Sequence, residues 1–600
     1  MTEPTYIIGI DLGTTNSIVA YTKTDVPTGE TPEIHVFEVP QLTGMGTVEV
    51  REMLPSFLYI PTDPEKANDG FALPWDREGS VSVGEFARSR GEEVPQRMIS
   101  SAKSWLCNQM VDRNKAILPW GSTEDGIKMS PVDASSRVLK HIRDAWNHEV
   151  AGSNPDVAME HQEIYLTVPA SFDAVARELT VKAAQMAGLE NITLLEEPQA
   201  AFYAWIDSKG DSWRENVTPG DLVLVCDVGG GTSDFSMIRV SDEAGNLVLD
   251  RVAVGNHLLV GGDNMDLALS YAIYNKMAEK GTKLDAWQMR GLSHSCRRAK
   301  EKLFSATGEQ VFPVTILGRG SSLIGGTIRT ELHLDEVSQV IVDGFFPACA
   351  ADDTPQVKQT IGLKEIGLAY EADPAVTRHL ARFIRESSQE GAENHFPTAV
   401  LFNGGIMKAN PIRKRVLDII GAWQGNETAQ PLRELQTANF DLSVARGAAY
   451  YGLARHGKGI RIRGGLGRSY YIGVAASMPA VPGMPVPTKA LCVAPFGMEE
   501  GTSAALPDQE FVLVVGEPVK FDFLGAANRF DDQPGTVVEN WEGQVEEITT
   551  VETTLDGDYG TFVPVTIEIR VTEIGTLEFF CVSQQDDRRW KLEFNVREKA

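Results

Sequence analysis

Leu222-Val223-Leu224-Val225-Cys226-Asp227-Val228-Gly229-Gly230-Gly231-Thr232-Ser233-Asp234 is the stretch whose reading decides the fold. An apolar, strand-forming run gives way to an acid, three glycines, a hydroxyl and a second acid. The pattern predicts a buried strand closed by a tight Gly-rich turn. Glycines let the backbone approach a phosphate and offer it N–H donors. An acid beside those donors repels phosphate unless a cation lies between, so Asp227 and Asp234 point to Mg²⁺. Alone, the motif also describes a plain strand and turn; a partner elsewhere in the chain gives it meaning.

That partner opens the chain. Tyr6-Ile7-Ile8-Gly9-Ile10-Asp11-Leu12-Gly13-Thr14-Thr15-Asn16-Ser17 repeats the grammar of strand, Asp, Gly and hydroxyls. Two copies, each opening one half of a long segment, form a crude internal repeat. The duplication predicts two lobes clasping one nucleotide.

The totals set bounds. A chain of 600 residues holds several domains at roughly 100–200 residues each. Its 42% hydrophobic and 23% charged residues describe an ordinary globular protein. The formal charge of −28 argues against non-specific nucleic-acid binding, which needs Lys and Arg to neutralise phosphates, and against anionic membrane surfaces. The six cysteines, at 107, 226, 296, 349, 492 and 581, have no paired spacing, which predicts neither a disulfide framework nor a zinc site and suits a reducing cytoplasm. No signal peptide is visible at the N-terminus, and no run approaches the roughly 18 apolar residues of a membrane span.

Strands and helices alternate through the first 455 residues, which predicts α/β lobes. Helices are expected at about 100–108, 132–148, 173–187, 266–280, 284–305, 411–423 and 442–455; Gly188 suits a left-handed cap after the third. Beyond His456 the texture changes. Residues 457–467 are rich in Gly and Arg and read as a linker, and 468–600 are almost all strand-like, a predicted β-sandwich.

Several motifs, in one order, carry a resemblance. They are Ile10-Asp11-Leu12-Gly13-Thr14-Thr15-Asn16-Ser17, Val168-Pro169-Ala170, Glu197-Pro198-Gln199-Ala200-Ala201, Asp227 to Asp234, Gly261-Gly262-Asp263 and Asn439-Phe440-Asp441. Together they resemble the 70-kDa heat-shock chaperone family of the DnaK type, within the actin and sugar-kinase ATPase superfamily. The match covers nearly all of residues 5–456. It implies an actin-like ATPase domain of two ribonuclease-H-like lobes over 1–456, a linker at 457–467 and a substrate- or partner-binding β-sandwich at 468–600.

The resemblance also implies roles. Gly13, Thr14, Thr15 and Asn16, with Gly229, Gly230, Gly231 and Asp234, would cradle the phosphates of ATP or ADP, and Gly261 and Gly262 belong to the same nucleotide site. Asp11 and Asp227 would hold Mg²⁺, largely through water, with K⁺ as a companion ion. Thr232 would touch the γ-phosphate or the attacking water, and Glu197 would position that water. Such a site works by positioning and electrostatic stabilisation. The family's lysine near the γ-phosphate appears as Arg88 after Val83-Gly84-Glu85-Phe86-Ala87; a planar fork in place of a point charge is not a neutral exchange, and Lys103 is the alternative.

The nucleoside side departs further. Arg298 and Lys300 match family positions and would stack on adenine and reach ribose, but Arg297, Glu301 and Phe304 replace the family's glutamate, basic residue and serine. A solvated charged helix face is the plainer reading. Gly404-Gly405 resembles the adenosine Gly-Gly, though Ile406-Met407-Lys408 replaces Ser-Thr-Arg; Asp441 matches the second connecting segment, and Asp263-Asn264 stand for the family's acidic pair. The expected partners are extended segments of client proteins, or one dedicated protein, with co-chaperones. The 457–463 stretch is basic and lacks a leucine run, and the sequence leaves no room for the family's helical lid. Competing readings are a nucleotide-dependent regulatory or assembly protein and, third, a sugar kinase.

Overall fold

The structure, a computed structural model, describes residues 3–25, 32–66, 69–108, 110–122, 124, 127–243, 246–305, 308–316, 328–356, 368, 370–387, 396–425, 431–456, 466, 468–475, 487–498, 502–526, 529–572 and 577–592. The opening repeat folds as β1 (Tyr6–Leu12) and β2 (Asn16–Lys23), an antiparallel pair joined by Gly13–Thr15. On the other edge of β1 lies the parallel β3 (Glu163–Val168), and next to it the parallel β4 (Ile192–Glu196). The second repeat gives β5 (Leu222–Val228) and β6 (Ser233–Glu243), again antiparallel, followed by β7 (Asn246–Val254). On the other edge of β5 are the parallel β8 (Ala399–Asn403) and β9 (Arg433–Leu435). Each lobe therefore has one antiparallel hairpin and two parallel strands around its opening strand. The crude sequence repeat is a duplicated topology. Strands β1 and β5 are central and largely buried, which is why both read as apolar runs without alternation.

Nine helices carry the argument: α1 (Glu85–Glu93), α2 (Ala102–Leu106), α3 (Pro131–Trp146), α4 (Ala174–Met186), α5 (Glu197–Lys209), α6 (Gly262–Glu279), α7 (Ala286–Leu303), α8 (Asn410–Gln424) and α9 (Ser443–Arg455). Their starts follow capping chemistry. Asp173 accepts from the Ala176 N–H at 2.7 Å at the head of α4, and Ser130 with Asp133 forms a capping box on α3. Helix α6 begins four residues earlier than its apolar pattern suggests, because Gly262 and Asp263 donate backbone N–H groups to Gly229 and Gly230.

Three apolar clusters organise the lobes. One fills the first lobe around Ile8, Ile10, Trp105 and Trp146, and a second fills the other around Leu224, Met237 and Phe402. The third is the seam between them, where α5 and α9 cross. A Cβ on Gly447 of α9 would lie 1.7 Å from the Ala200 carbonyl of α5, so only glycine permits that approach. The small residues of Gln199-Ala200-Ala201 and Gly447-Ala448-Ala449 are packing choices at this crossing.

The C-terminal part is all strand: β10 (Ser469–Ala475), β11 (Thr488–Ala494), β12 (Ser503–Val515), β13 (Pro518–Ala526), β14 (Val537–Val538), β15 (Glu546–Thr554), β16 (Thr561–Val571), β17 (Leu577–Ser583) and β18 (Arg589–Leu592). One sheet runs β14-β11-β10-β13-β15 and the other β12-β16-β17-β18. Strand β16 buries every second residue, and Phe523 meets Phe579 edge-on at 5.2 Å between the sheets. Most of the predicted linker lies outside the described residues; α9 ends at Arg455 and β10 starts at Ser469. Arg468, just before β10, donates to Asn256 of the second lobe at 3.3 Å. Among the described residues no helix is long and apolar enough to cross a membrane.

Candidate functional site

The two Gly-rich turns face each other. A Cβ on Gly230 would lie 2.1 Å from the Thr15 hydroxyl, and one on Gly231 would meet Ser104 at 2.7 Å and Thr14 at 3.0 Å. Between the lobes opens a cleft of about 550 Å³. Its inner end is lined by Asp11, Gly13 to Asn16, Lys103, Glu197, Asp227, Gly229, Gly230 and Thr232. The N-terminus of α6 abuts the second turn and sets a positive dipole end beside it.

The electrostatics of this end are set by buried acids. Burial pushes the Asp11 carboxyl up to about 7; Lys103 opposes this, while Glu197 adds to it. Asp227 is pushed well above the usual carboxylate range by burial first and Glu197 next, against the Asn403 amide that donates to it at 2.6 Å. Asn403, at the end of β8, is held in turn by the Ser443 hydroxyl at 2.7 Å. Lys103 ion-pairs with Glu197. Burial favours the neutral amine, but Glu197, Asp11 and Asp227 outweigh it and hold the ammonium above its ordinary value. A buried carboxylate, Asp227, and a half-buried one, Asp11, with too little positive charge around them are the donor set of a hydrated divalent cation, which keeps most of its waters and needs only one or two protein oxygens.

The outer end is built from side chains. Arg297, Lys300, Glu301 and Phe304 form one stripe of α7 and line the cleft opposite Ile406, Lys408, Ile412, Phe440 and Asp441. Arg297 binds Asp263 and, at 2.9 Å, Asp266, while Lys300 sits 2.7 Å from Asp266 and donates to the Gly262 carbonyl at 3.2 Å. Ser101 of the first lobe donates to Asp263 at 3.0 Å, so this network spans the cleft. Lys408 pairs with Asp441 at 2.6 Å.

Five of the predicted residues do not line the cleft. Arg88 does not line the cleft: its guanidinium turns back along α1 to Glu85 at 2.7 Å, and Lys103 supplies the positive charge among the acids. Arg298 is exposed on α7 and off the cleft; the stripe one residue earlier, Arg297, faces it. Gly231, Asp234 and Gly261 do not line the cleft either but stand behind it. Gly261 packs against the Gly230 carbonyl, leaving 2.8 Å for a Cβ, and Asp234 lies opposite Asp227 in the β5–β6 register. Gly262, Gly404, Gly405, Lys408 and Asp441 line the cleft. Asn403, Asp266 and Phe440 were not singled out from sequence for this site; Asn403 carried a readable signal, a polar residue ending an apolar strand before Gly-Gly.

Known proteins resemble this chain over part of its length. Residues 78–338 match the family described as Hsp70 protein. The match covers less than half of the chain, and over that part the chain is similar to the Hsp70 family. It is 28% identical over 468 residues to a protein of Methylobacillus flagellatus named as a chaperone protein HscA homolog, covering 73% of this chain and 64% of that one. A homolog of the same name from Acidithiobacillus ferrooxidans is 28% identical over 461 residues, covering 73% and 65%. One from Pseudomonas paraeruginosa is 29% identical over 317 residues, covering 51% and 43%. The chain thus spans between about two fifths and two thirds of the length of these relatives. The duplicated lobes and following sandwich are the architecture that the family implies.

Proposed function

We propose that the cleft binds ATP or ADP with Mg²⁺ and hydrolyses ATP, and that the nucleotide controls binding of extended client segments by the β-sandwich. The observation that carries the reading is the pair of Gly-rich turns meeting over two carboxylates, Asp227 buried and Asp11 half-buried. Backbone N–H groups of Gly13 to Asn16 and of Gly230 and Thr232 bind and orient the phosphates. Asp11 and Asp227 would hold a hydrated Mg²⁺ ion, whose chemistry there would be to neutralise phosphate charge. Lys103 adds a fixed positive charge where the transferred group becomes most negative, and Glu197, held by Lys103, orients the attacking water and accepts its proton. Thr232 fixes the γ-phosphoryl group in line. Phe304, Ile406 and Phe440 give the base an apolar slot. The printed names of the relatives, chaperone homologs, support the client reading, with co-chaperones as further partners. Six free cysteines among the described residues suit a reducing cytoplasm.

The test uses the purified full chain. Magnesium-dependent ATP binding and phosphate release are expected, together with nucleotide-sensitive binding to many extended apolar peptides on an array. A chain that neither binds nor hydrolyses ATP overturns the first half. Binding to no peptide, or to one sequence only, overturns the client half in favour of a dedicated partner.

A further inference from the structure

The two ends of the cleft differ in what they leave for a ligand. At the outer end Phe304, Ile406, Ile412 and Phe440 form a slot, and the polar atoms around it pair with one another. On one wall the short helical turn Gly405–Lys408 runs into α8. Met407 donates its N–H to the Gly404 carbonyl at 3.1 Å, Ala409 to Ile406 at 3.2 Å and Ile412 to Ala409 at 3.0 Å. Arg413 takes the carbonyls between them, donating to Met407 and, at 3.2 Å, to Lys408, and its guanidinium lies 5.2 Å from the Phe440 ring centre. Gly404 packs on the Val228 carbonyl, with 2.4 Å left for a Cβ, so the head of this turn belongs to the phosphate end. Lys408 is held by Asp441 at 2.6 Å.

The wall formed by α7 is satisfied in the same way. Lys300 and Asp266, 5% and 1% exposed, hold each other at 2.7 Å, and Arg297 binds Asp263 and Asp266. Ser305 donates its hydroxyl to the Lys302 carbonyl at 2.6 Å. Among the described residues lining this end, the polar side chain without a hydrogen bond or ion pair is Glu301, exposed on the rim where water competes for its oxygens. Phe304, Ile406 and Phe440 are each half-buried, so the slot is open to water on that side. A site built to hydrogen-bond one base rejects another because its buried polar groups are then left unpaired; a slot with none to strand carries no such penalty. Stacking depends on the ring face, which adenine, guanine and hypoxanthine share.

Resting on the nucleotide reading above, we propose that the cleft takes purine nucleotides as a class, through their phosphates and ring face, and does not select adenine over guanine or hypoxanthine. Calorimetric titration of the full chain with the Mg²⁺ complexes of ADP, GDP, IDP and CDP tests this. The purine nucleotides should bind within about fivefold of one another, and CDP, with its smaller ring, about tenfold more weakly than ADP. IDP lacks an exocyclic amine, so its place within that range reports on Glu301. Phe304→Leu, which trades the ring for an apolar chain, should weaken all three purine nucleotides alike, by about threefold, and leave their ratios unchanged. A wild-type gap between purines wider than about fivefold overturns the inference, as does a Phe304→Leu loss confined to one purine. CDP bound as tightly as ADP overturns the role given to the ring face. Absence of binding by all four nucleotides in wild type defeats the nucleotide reading itself, a result separate from any base preference.

Discussion

At the inner end of the cleft the contacts offered to a ligand are main-chain N–H groups on two strand-to-strand turns. At the outer end they are side chains on α7 and around α8. The inner end is rigid because its turns are held by β1, β2, β5 and β6 and locked together by missing Cβ atoms at Gly230 and Gly231. The outer end is held by an ion network, Asp263–Arg297–Asp266–Lys300, whose members can be exchanged without altering a strand. Backbone-built sites tolerate little sequence change, whereas side-chain-built ones can be rewired. This chain keeps the first and rewires the second.

The sharpest way to break that comparison is at the inner end. Lys103→Met should lower ATP hydrolysis by about 10²–10³-fold with MgADP affinity nearly unchanged, read by single-turnover assay beside calorimetry. An equal loss of affinity would make Lys103 a binding group instead. At the outer end, Asp266→Asn leaves Arg297 and Lys300 buried with one acid between them. It should cost about 3 kcal/mol in urea unfolding, because breaking a buried pair strands a charge. A loss below about 1 kcal/mol would show that the network is loosely held.

Acidity separates the two ends as well. The Asp11 carboxyl, raised to about 7 chiefly by burial, stays protonated in the folded chain where the unfolded one is already ionised. The folded state then holds the extra proton, so without Mg²⁺ stability falls as pH rises from about 4 to about 7. Melting temperatures in EDTA should decline across that window, and Mg²⁺, which favours the ionised acids, should flatten the decline. A flat profile in EDTA would mean that Asp11 is already compensated.

Smaller effects remain. Phe304→Ala should weaken MgADP binding about fivefold and leave the saturated hydrolysis rate alone, since it removes a stacking face far from the phosphates. Arg88→Lys should change hydrolysis by less than about twofold, as its partner is Glu85 on a partly exposed helix face. A large effect there would restore Arg88 to the site.

Much of the inner end was legible because a strand ending in Asp-x-Gly leaves a local pattern. Asp11, Gly13 to Asn16, Asp227 and Gly229 to Thr232 lie within a few residues of their strands, and those strands repeat. The lysine was harder. Arg88 and Lys103 are both basic residues near a helix start, and only packing decides that α1 turns its cation to Glu85 while α2 buries Lys103 among acids. On α7 the information was present but subtle: 297, 300, 301 and 304 share a helical face that excludes 298.

By itself, then, the sequence determined the class of the lobes, the duplicated phosphate turns and the change to an all-β C-terminal part, because hydrophobic period and glycine-bounded turns are local properties of a chain. The tertiary structure alone decided which cation meets the buried acids, which face of α7 lines the cleft, and that the polar groups around the base slot pair with one another. Those choices depend on side chains from distant segments meeting in a dry interior, where an unpaired charge is costly and only the folded arrangement says which partner neutralises it.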